Sequence, residues 1–277
     1  MEPEDANAAP TDGEPTDGWS PEGKRVLVTG ASSGIGAAIA VGFAERNAVV
    51  GICARREDRL ADVLARVQES SPESRSWVVD LADLPGVDGF AARVVDELGG
   101  LDVLVNNAGI PKRRAVRALT PEVVESVMAV NYLSPVRLTL ALLPSLVARQ
   151  GRIVNISSVA ARLGPPGEAA YSASKAALTA WSESMAADLA DTGVRVHVVN
   201  PAVIDTELFQ LPDNDPMSAD EVEALPVDAV VEPVFAALAA GTFETYIPDF
   251  FAGLVEGKFR DTGAFLDGTI AWLRSKA

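Results

Sequence analysis

The stretch "VTGASSGIGAAIA", residues 28–40, decides how the rest of the chain is read. It begins at the end of an apolar run, "KRVLVTG" at 24–30, and passes directly into a helical pattern. Gly30, Gly34 and Gly36 fall at the join. Lacking a Cβ, glycine permits a tight turn and a close approach to the backbone. The first turn of the helix offers unpaired N–H groups, which suit a phosphate. A glycine cluster by itself only marks a turn. At the first strand-to-helix junction of an alternating chain, it points to a dinucleotide whose pyrophosphate rests on the helix end.

Further apolar runs follow at 47–54 ("NAVVGICA"), 74–81 ("SRSWVVDL"), 101–109 ("LDVLVNNAG"), 151–158 ("GRIVNISS") and 194–202 ("VRVHVVNPA"). They are continuous in Val, Ile and Leu, as strands buried on both faces are. Segments 34–46, 57–69, 86–98, 121–149 and 168–191 are each long enough for a crossover helix. Six strands alternating with helices predict an α/β fold: a doubly wound, Rossmann-like parallel sheet in three α/β/α layers, one domain over residues 23–277.

The chain has 277 residues, of which 48% are apolar and 22% charged, a globular composition. Its net charge of −16 disfavours nucleic acid as a partner. Residues 1–22 are acidic and rich in Pro and Gly, and read as a disordered tail rather than a secretory signal. One cysteine, Cys53, excludes an internal disulfide and fits the cytoplasm. No uncharged apolar run reaches the roughly eighteen residues of a membrane span. His197, the single histidine, sits mid-run without metal-ligating neighbours; it reads as a core residue, and no metal site is expected.

"YSASK" at 171–175 places Tyr171 and Lys175 four residues apart, on one face of a helix. An ammonium near a phenol favours the phenolate and lowers its pKa, which would make tyrosine a usable acid or base. Together with "TGASSGIG" at 29–36, "NNAG" at 106–109 and "NISS" at 155–158, this pair makes the chain resemble the classical short-chain dehydrogenase/reductases from residue 24 to about 206.

The resemblance implies an oxidoreductase acting on a carbonyl or secondary alcohol, with Asn131, Ser158, Tyr171 and Lys175 catalytic. Ser158 would orient the substrate oxygen, Tyr171 would give or take its proton, and Lys175 would hold the nicotinamide ribose and depress the tyrosine pKa. Asn131 would support a water-mediated proton path to that lysine. Cofactor contacts are implied for Gly30, Ser32, Ser33, Gly34, Ile35 and Gly36 in the loop, for Asp80 and Leu81 at the adenine, and for Asn107, Ala108 and Gly109. Pro201, Ile204 and Thr206 in "NPAVIDTEL" match the element that holds the carboxamide, with Ala202 in place of its usual glycine.

At the end of the second run, Ala54 stands where an acidic residue would accept from the ribose 2′-OH, and Arg55 and Arg56 follow. This favours NADP(H), with NAD(H) as the alternative. Ile110, Val159, Leu163, Pro165, Val203 and Leu208 are expected to line a pocket for a moderately apolar ketone, aldehyde or alcohol, under a lid at 207–225. Glu207, Asp213, Asp215 and Asp220 in the lid read as solvated surface, and "PKRRAVR" at 111–117 as an exposed basic loop. Residues 248–277 are expected to form a helical extension whose aromatic side chains cover the core, bury a contact in a homo-oligomer (dimer or tetramer) or touch a membrane, with core or oligomer packing the default. Competing readings are an NAD(H)-dependent alcohol or hydroxysteroid-type dehydrogenase, a nucleotide-sugar epimerase or dehydratase, and a non-catalytic nucleotide-binding sensor.

Overall fold

The computed structural model describes residues 18–211, 213–215 and 223–276. In chain order they form β1 (Arg25–Thr29), α1 (Gly34–Glu45), β2 (Val49–Ala54), α2 (Glu57–Ser70), β3 (Arg75–Val78), α3 (Val87–Leu98) and β4 (Val103–Asn106). Then come α4 (Pro121–Met128), a π-helical turn (Ala129–Leu133), α5 (Ser134–Ala148), β5 (Arg152–Ile156), α6 (Ala160–Leu163), α7 (Ala169–Asp188) and β6 (Arg195–Pro201). α8 (Val231–Ala240), β7 (Glu244–Ile247), α9 (Phe251–Arg260) and α10 (Thr262–Lys276) complete the fold. All strand pairings are parallel, in the order β3-β2-β1-β4-β5-β6-β7.

The apolar runs are continuous because the sheet is covered twice. Val26 and Val28 of β1 face a core formed with Phe43 of α1, Leu60 of α2 and Leu238 of α8. Leu27, between them, points the other way, into a core with Phe90 of α3, Leu142 of α5 and Met185 of α7. These are the two outer helical layers of a single-domain, Rossmann-like fold. Chain progression along the sheet reverses between β1 and β4, so the connections leave their carboxyl ends in opposite directions and open a crevice there.

Three features differ from the sequence expectation, and the burial of the extension adds a detail to it. β7 is a seventh strand where six were expected; "ETYI" is short, only Ile247 of it is fully buried, and it lacks the apolar run that marked the others. The helix expected over 121–149 is interrupted by the π-helical turn that carries Asn131. Of the expected tail, residues 1–17 lie outside the described residues; within 18–22, Trp19 packs on the core, with the Arg152 guanidinium 4.8 Å from its ring centroid. In the extension, Phe251 and Val255 are buried, whereas Phe250 and Phe259 are exposed.

Among the described residues one helical stretch, Pro121–Ala148, is long and apolar enough to cross a bilayer. Its Leu138, Leu142 and Leu146 are fully buried in the sheet core, the packing of a helix inside a globular domain. His197 is buried, with Nδ1 at 2.7 Å from the Thr242 carbonyl oxygen.

Candidate active site

A cleft of about 460 Å³ opens at the carboxyl ends of the strands. One wall is the glycine loop. Gly30 has φ +66°, and a Cβ there would stand 2.7 Å from the Ala108 backbone, so the β1–α1 turn and the segment after β4 touch backbone to backbone. That junction is tied by Thr29, whose hydroxyl accepts from the Asn107 and Ala108 amides at 3.0 and 3.1 Å. The Asn107 side chain donates to the Thr29 and Gly30 carbonyls at 2.9 and 3.2 Å. Ser33, at the N-cap of α1, makes no capping hydrogen bond, so its side chain leaves the first amides of α1 uncapped.

The opposite wall comes from β5 and α7. β5 ends at Ile156, and Ser158 follows; its Oγ accepts from the Ala160 amide at 3.1 Å and lies 3.4 Å from the Pro201 carbonyl. Tyr171 and Lys175 occupy successive turns of α7, with Lys175 Nζ 5.8 Å from the Tyr171 ring centroid. Nζ donates to the Ile156 carbonyl at 2.7 Å.

Burial raises the Tyr171 phenol above its ordinary value, and the charge of Glu168 pushes the same way; the Ser158 hydroxyl, hydrogen-bonded to it, pulls against them. Burial pushes Lys175 down to about 8. The motif suggests a phenol depressed by its lysine; burial first and Glu168 second instead move it upward. Both side chains are held in a dry wall that favours their neutral forms.

Asn131 stands behind this wall, fully buried. Its Oδ1 accepts from the Ile110 amide at 2.8 Å, and its Nδ2 donates to the Ile110 carbonyl at 2.9 Å and to Ser174 Oγ at 3.0 Å. Ser174 in turn donates to the Tyr171 carbonyl at 2.7 Å. The π-helical turn thus fastens the segment after β4, which carries Gly109 and Ile110, to the helix carrying Tyr171.

Gly30, Ser32, Ser33, Gly34, Ile35, Arg55, Arg56, Asp80, Leu81, Asn107, Ala108, Gly109, Ser158, Tyr171, Lys175, Pro201, Ile204 and Thr206 all line the cleft. So do Ile110, Val159, Leu163, Pro165, Val203 and Leu208. Gly36 and Asn131 do not reach it and support it from behind. Ala202 has no left-handed backbone, so glycine is not required at that turn. Glu168 and Phe251 also line the cleft and were missed. Glu168 lies three residues before Tyr171, a spacing that brings the two together on a helix. Phe251 arrives from a distant helix and left no local signal.

The charged segments are not the separate solvated surfaces expected. Lys112 pairs with Asp213, Arg113 Nε donates to the Asp215 carbonyl at 3.1 Å, and the Asp215 carboxylate accepts from the Ala115 amide at 3.1 Å. Arg113 is buried. Glu207 pairs with Arg56 and Arg59. Asp220, with residues 212 and 216–222 of the expected lid, lies outside the described residues.

No group of three or more potential metal-ligating side chains occurs among the described residues. The close backbone approach at Gly30, the uncapped helix start and the serine and arginine donors beside them do fit a dinucleotide.

Fold and cleft together define a nucleotide-binding α/β protein of the doubly wound class. The short chain dehydrogenase family matches residues 24–215, and the chain belongs to it. A dehydrogenase/reductase SDR family protein 7-like of Anopheles gambiae is 40% identical over 192 residues, covering 67% of this chain and 61% of that protein. The match thus spans about three fifths of that relative's length. The 3-oxoacyl-[acyl-carrier-protein] reductase FabG of Vibrio cholerae is 35% identical over 199 residues, covering 72% of this chain and 80% of that one. Among solved structures, a short chain dehydrogenase of Burkholderia cenocepacia in complex with NADP superposes with a TM-score of 0.77 at 30% identity, covering 91% of this chain and 99% of that one.

Proposed function

We propose that the protein is an NADP(H)-dependent oxidoreductase that interconverts a carbonyl and a secondary alcohol on a moderately apolar substrate. The observation that carries this reading is the convergence of Ser158, Tyr171 and Lys175 on one cleft wall, facing the uncapped start of α1 across the opening.

Bound in the cleft, the nicotinamide supplies or accepts hydride. The first amides of α1, with Gly30 and Gly34 leaving the backbone bare, would hold the pyrophosphate. Asp80 and Leu81 would flank the adenine, and Asn107 to Gly109 the adenosine side. Pro201, Ile204 and Thr206 would hold the carboxamide. Lys175, which spends one proton on Ile156, keeps two for the ribose hydroxyls. Among the described residues Arg55 has no partner, and with Ala54 beside it the end of β2 itself offers a cation and no acid to a 2′-substituent. This favours a 2′-phosphate.

Ser158 Oγ would donate to the substrate oxygen and fix its direction. Tyr171 holds its proton firmly, since burial and Glu168 both favour the neutral phenol, and would release it onto the oxygen during reduction. In the reverse direction it takes that proton back. Asn131 acts by position, keeping Gly109, Ile110 and α7 in register. Ile110, Val159, Leu163, Val203, Leu208 and Phe251 make the substrate side apolar and dry. The exposed Phe250 and Phe259 favour self-association as a dimer or tetramer, and the single buried thiol, Cys53, fits a reducing cytoplasm.

The test is turnover of NADPH and NADP⁺ against a panel of ketones, aldehydes and alcohols, in wild type and Tyr171→Phe. Turnover that vanishes in the variant while NADPH still binds supports the assignment. Full turnover in Tyr171→Phe refutes it, and tight cofactor binding with no turnover on any compound favours a sensor.

A further inference from the structure

Arg56 is held from two sides of the cleft. Its Nη2 donates to Ser33 Oγ at 2.6 Å and to Ser32 Oγ at 3.0 Å, and its Nε to Ser32 Oγ at 3.2 Å. Its Nη1 meets Glu207 Oε2 at 2.9 Å. The other oxygen of Glu207 pairs with Arg59, one helical turn further along α2. One carboxylate therefore bridges two guanidiniums, and these two partners hold its pKa down at about 2, so it is ionised at any physiological pH.

Two guanidiniums on one oxyanion, one of them braced by the Ser32 and Ser33 hydroxyls, are a donor set a phosphate monoester takes. In the chain itself, a side chain already occupies part of that set. Glu207 directly follows Thr206, so the anion belongs to the segment that lines the cleft opposite the glycine loop.

We infer that Glu207 is a specificity-determining residue, an internal counter-ion that competes with the cofactor's 2′-phosphate for Arg56 and Arg59. The inference rests on the cofactor reading above. A 2′-phosphate must displace the carboxylate or lie against it, and two like charges at a shared site repel. A free 2′-hydroxyl carries no such charge and leaves the Glu207 pairs in place. Glu207 therefore weakens NADP(H) relative to NAD(H), and Arg55 gives the phosphate a cation that no carboxylate among the described residues holds. The pairs are partly exposed, so the effect is several-fold rather than thousands-fold.

The test is calorimetric binding of NADPH, NADH and 2′,5′-ADP to wild type, Glu207→Gln and Glu207→Asp. In Glu207→Gln the NADPH-to-NADH affinity ratio is expected to rise about fivefold, with 2′,5′-ADP tightening in parallel, while Glu207→Asp, which keeps the charge, stays nearer wild type. A ratio unchanged within twofold overturns the inference and leaves the cofactor reading standing. A ratio that falls overturns it too, by showing that Glu207 holds Arg56 ready for the phosphate. Failure of wild type to bind either dinucleotide overturns the cofactor reading and this inference with it.

Discussion

Lys175 Nζ lies 5.8 Å from the centroid of the Tyr171 ring and gives its hydrogen bond to the Ile156 carbonyl at 2.7 Å. The ammonium is thus anchored to the sheet, in a place where burial makes its charge expensive.

Removing that charge should stabilise the fold. Burial brings Lys175 down from 10.5 to about 8, so over this window the unfolded chain binds more protons than the folded one. Stability therefore rises with pH above about 8. Tyr171 and Cys53 are shifted upward from 10.0 and 9.0, and each begins to cost stability only above those values. Between pH 8 and 9 the rise belongs to Lys175 and should amount to about 1 kcal/mol. Urea unfolding should show it in wild type and not in Lys175→Met, which should be the more stable protein at pH 7. An equal slope in both would contradict the buried-ammonium account.

Glu168 offers a second handle on the phenol. Its charge raises the Tyr171 pKa, so Glu168→Gln should lower it. In alcohol oxidation the phenolate accepts the proton, and the limb of the kcat profile that rises with pH should move to lower pH in the variant. Movement to higher pH, or none, would show that Glu168 does not act on the tyrosine through charge.

Much of this was legible because it is written locally. The alternation of apolar runs and helices carries the doubly wound parallel sheet through β6, and Ser32, Ser33, Ile35, Tyr171 and Lys175 of "TGASSGIG" and "YSASK" line the cleft because a loop and a helix turn fix their direction within a few residues. What escaped is set by contacts remote in sequence. The pairing of β6 with "ETYI" supplies edge hydrogen bonds that need no strong apolar pattern. The salt bridges from Glu207 to Arg56 and Arg59 join segments about 150 residues apart, so each charge looked solvated when read alone. The reversal of the expected Tyr171 shift has a related cause, since spacing reveals a neighbouring charge and not the extent of burial.

The glycines of the loop can be told from a neutral one by stability. A Cβ on Gly36 would stand 2.4 Å from Asn107 Nδ2 and 2.7 Å from the Gly30 carbonyl oxygen, breaking the tie between β1 and β4. Gly36→Ala should cost about 1–3 kcal/mol. Gly89, on the exposed face of α3, has nothing within 4 Å of such an atom. Gly89→Ala should add about 0.5–1 kcal/mol by helix propensity. Chemical denaturation of both variants checks the pair, and similar effects at the two sites would show that the loop is not packed as described.

Phe251 sets the last expectation. It begins α9, is buried, and stacks on Phe250 with ring centroids 4.6 Å apart, while also lining the cleft. It is the one aromatic side chain of the C-terminal extension that reaches the apolar side of the site. Phe251→Leu shortens that wall and keeps it apolar, at a stability cost of about 1 kcal/mol. On the proposed function, kcat/KM for ketones with a bulky substituent should rise relative to small ones, because a pocket contact of this size discriminates by about tenfold. Tyr171 and Lys175 are untouched, so kcat on a small ketone should hold. Parallel loss on large and small substrates would instead mean that Phe251 supports the fold of the extension and does not shape the substrate site.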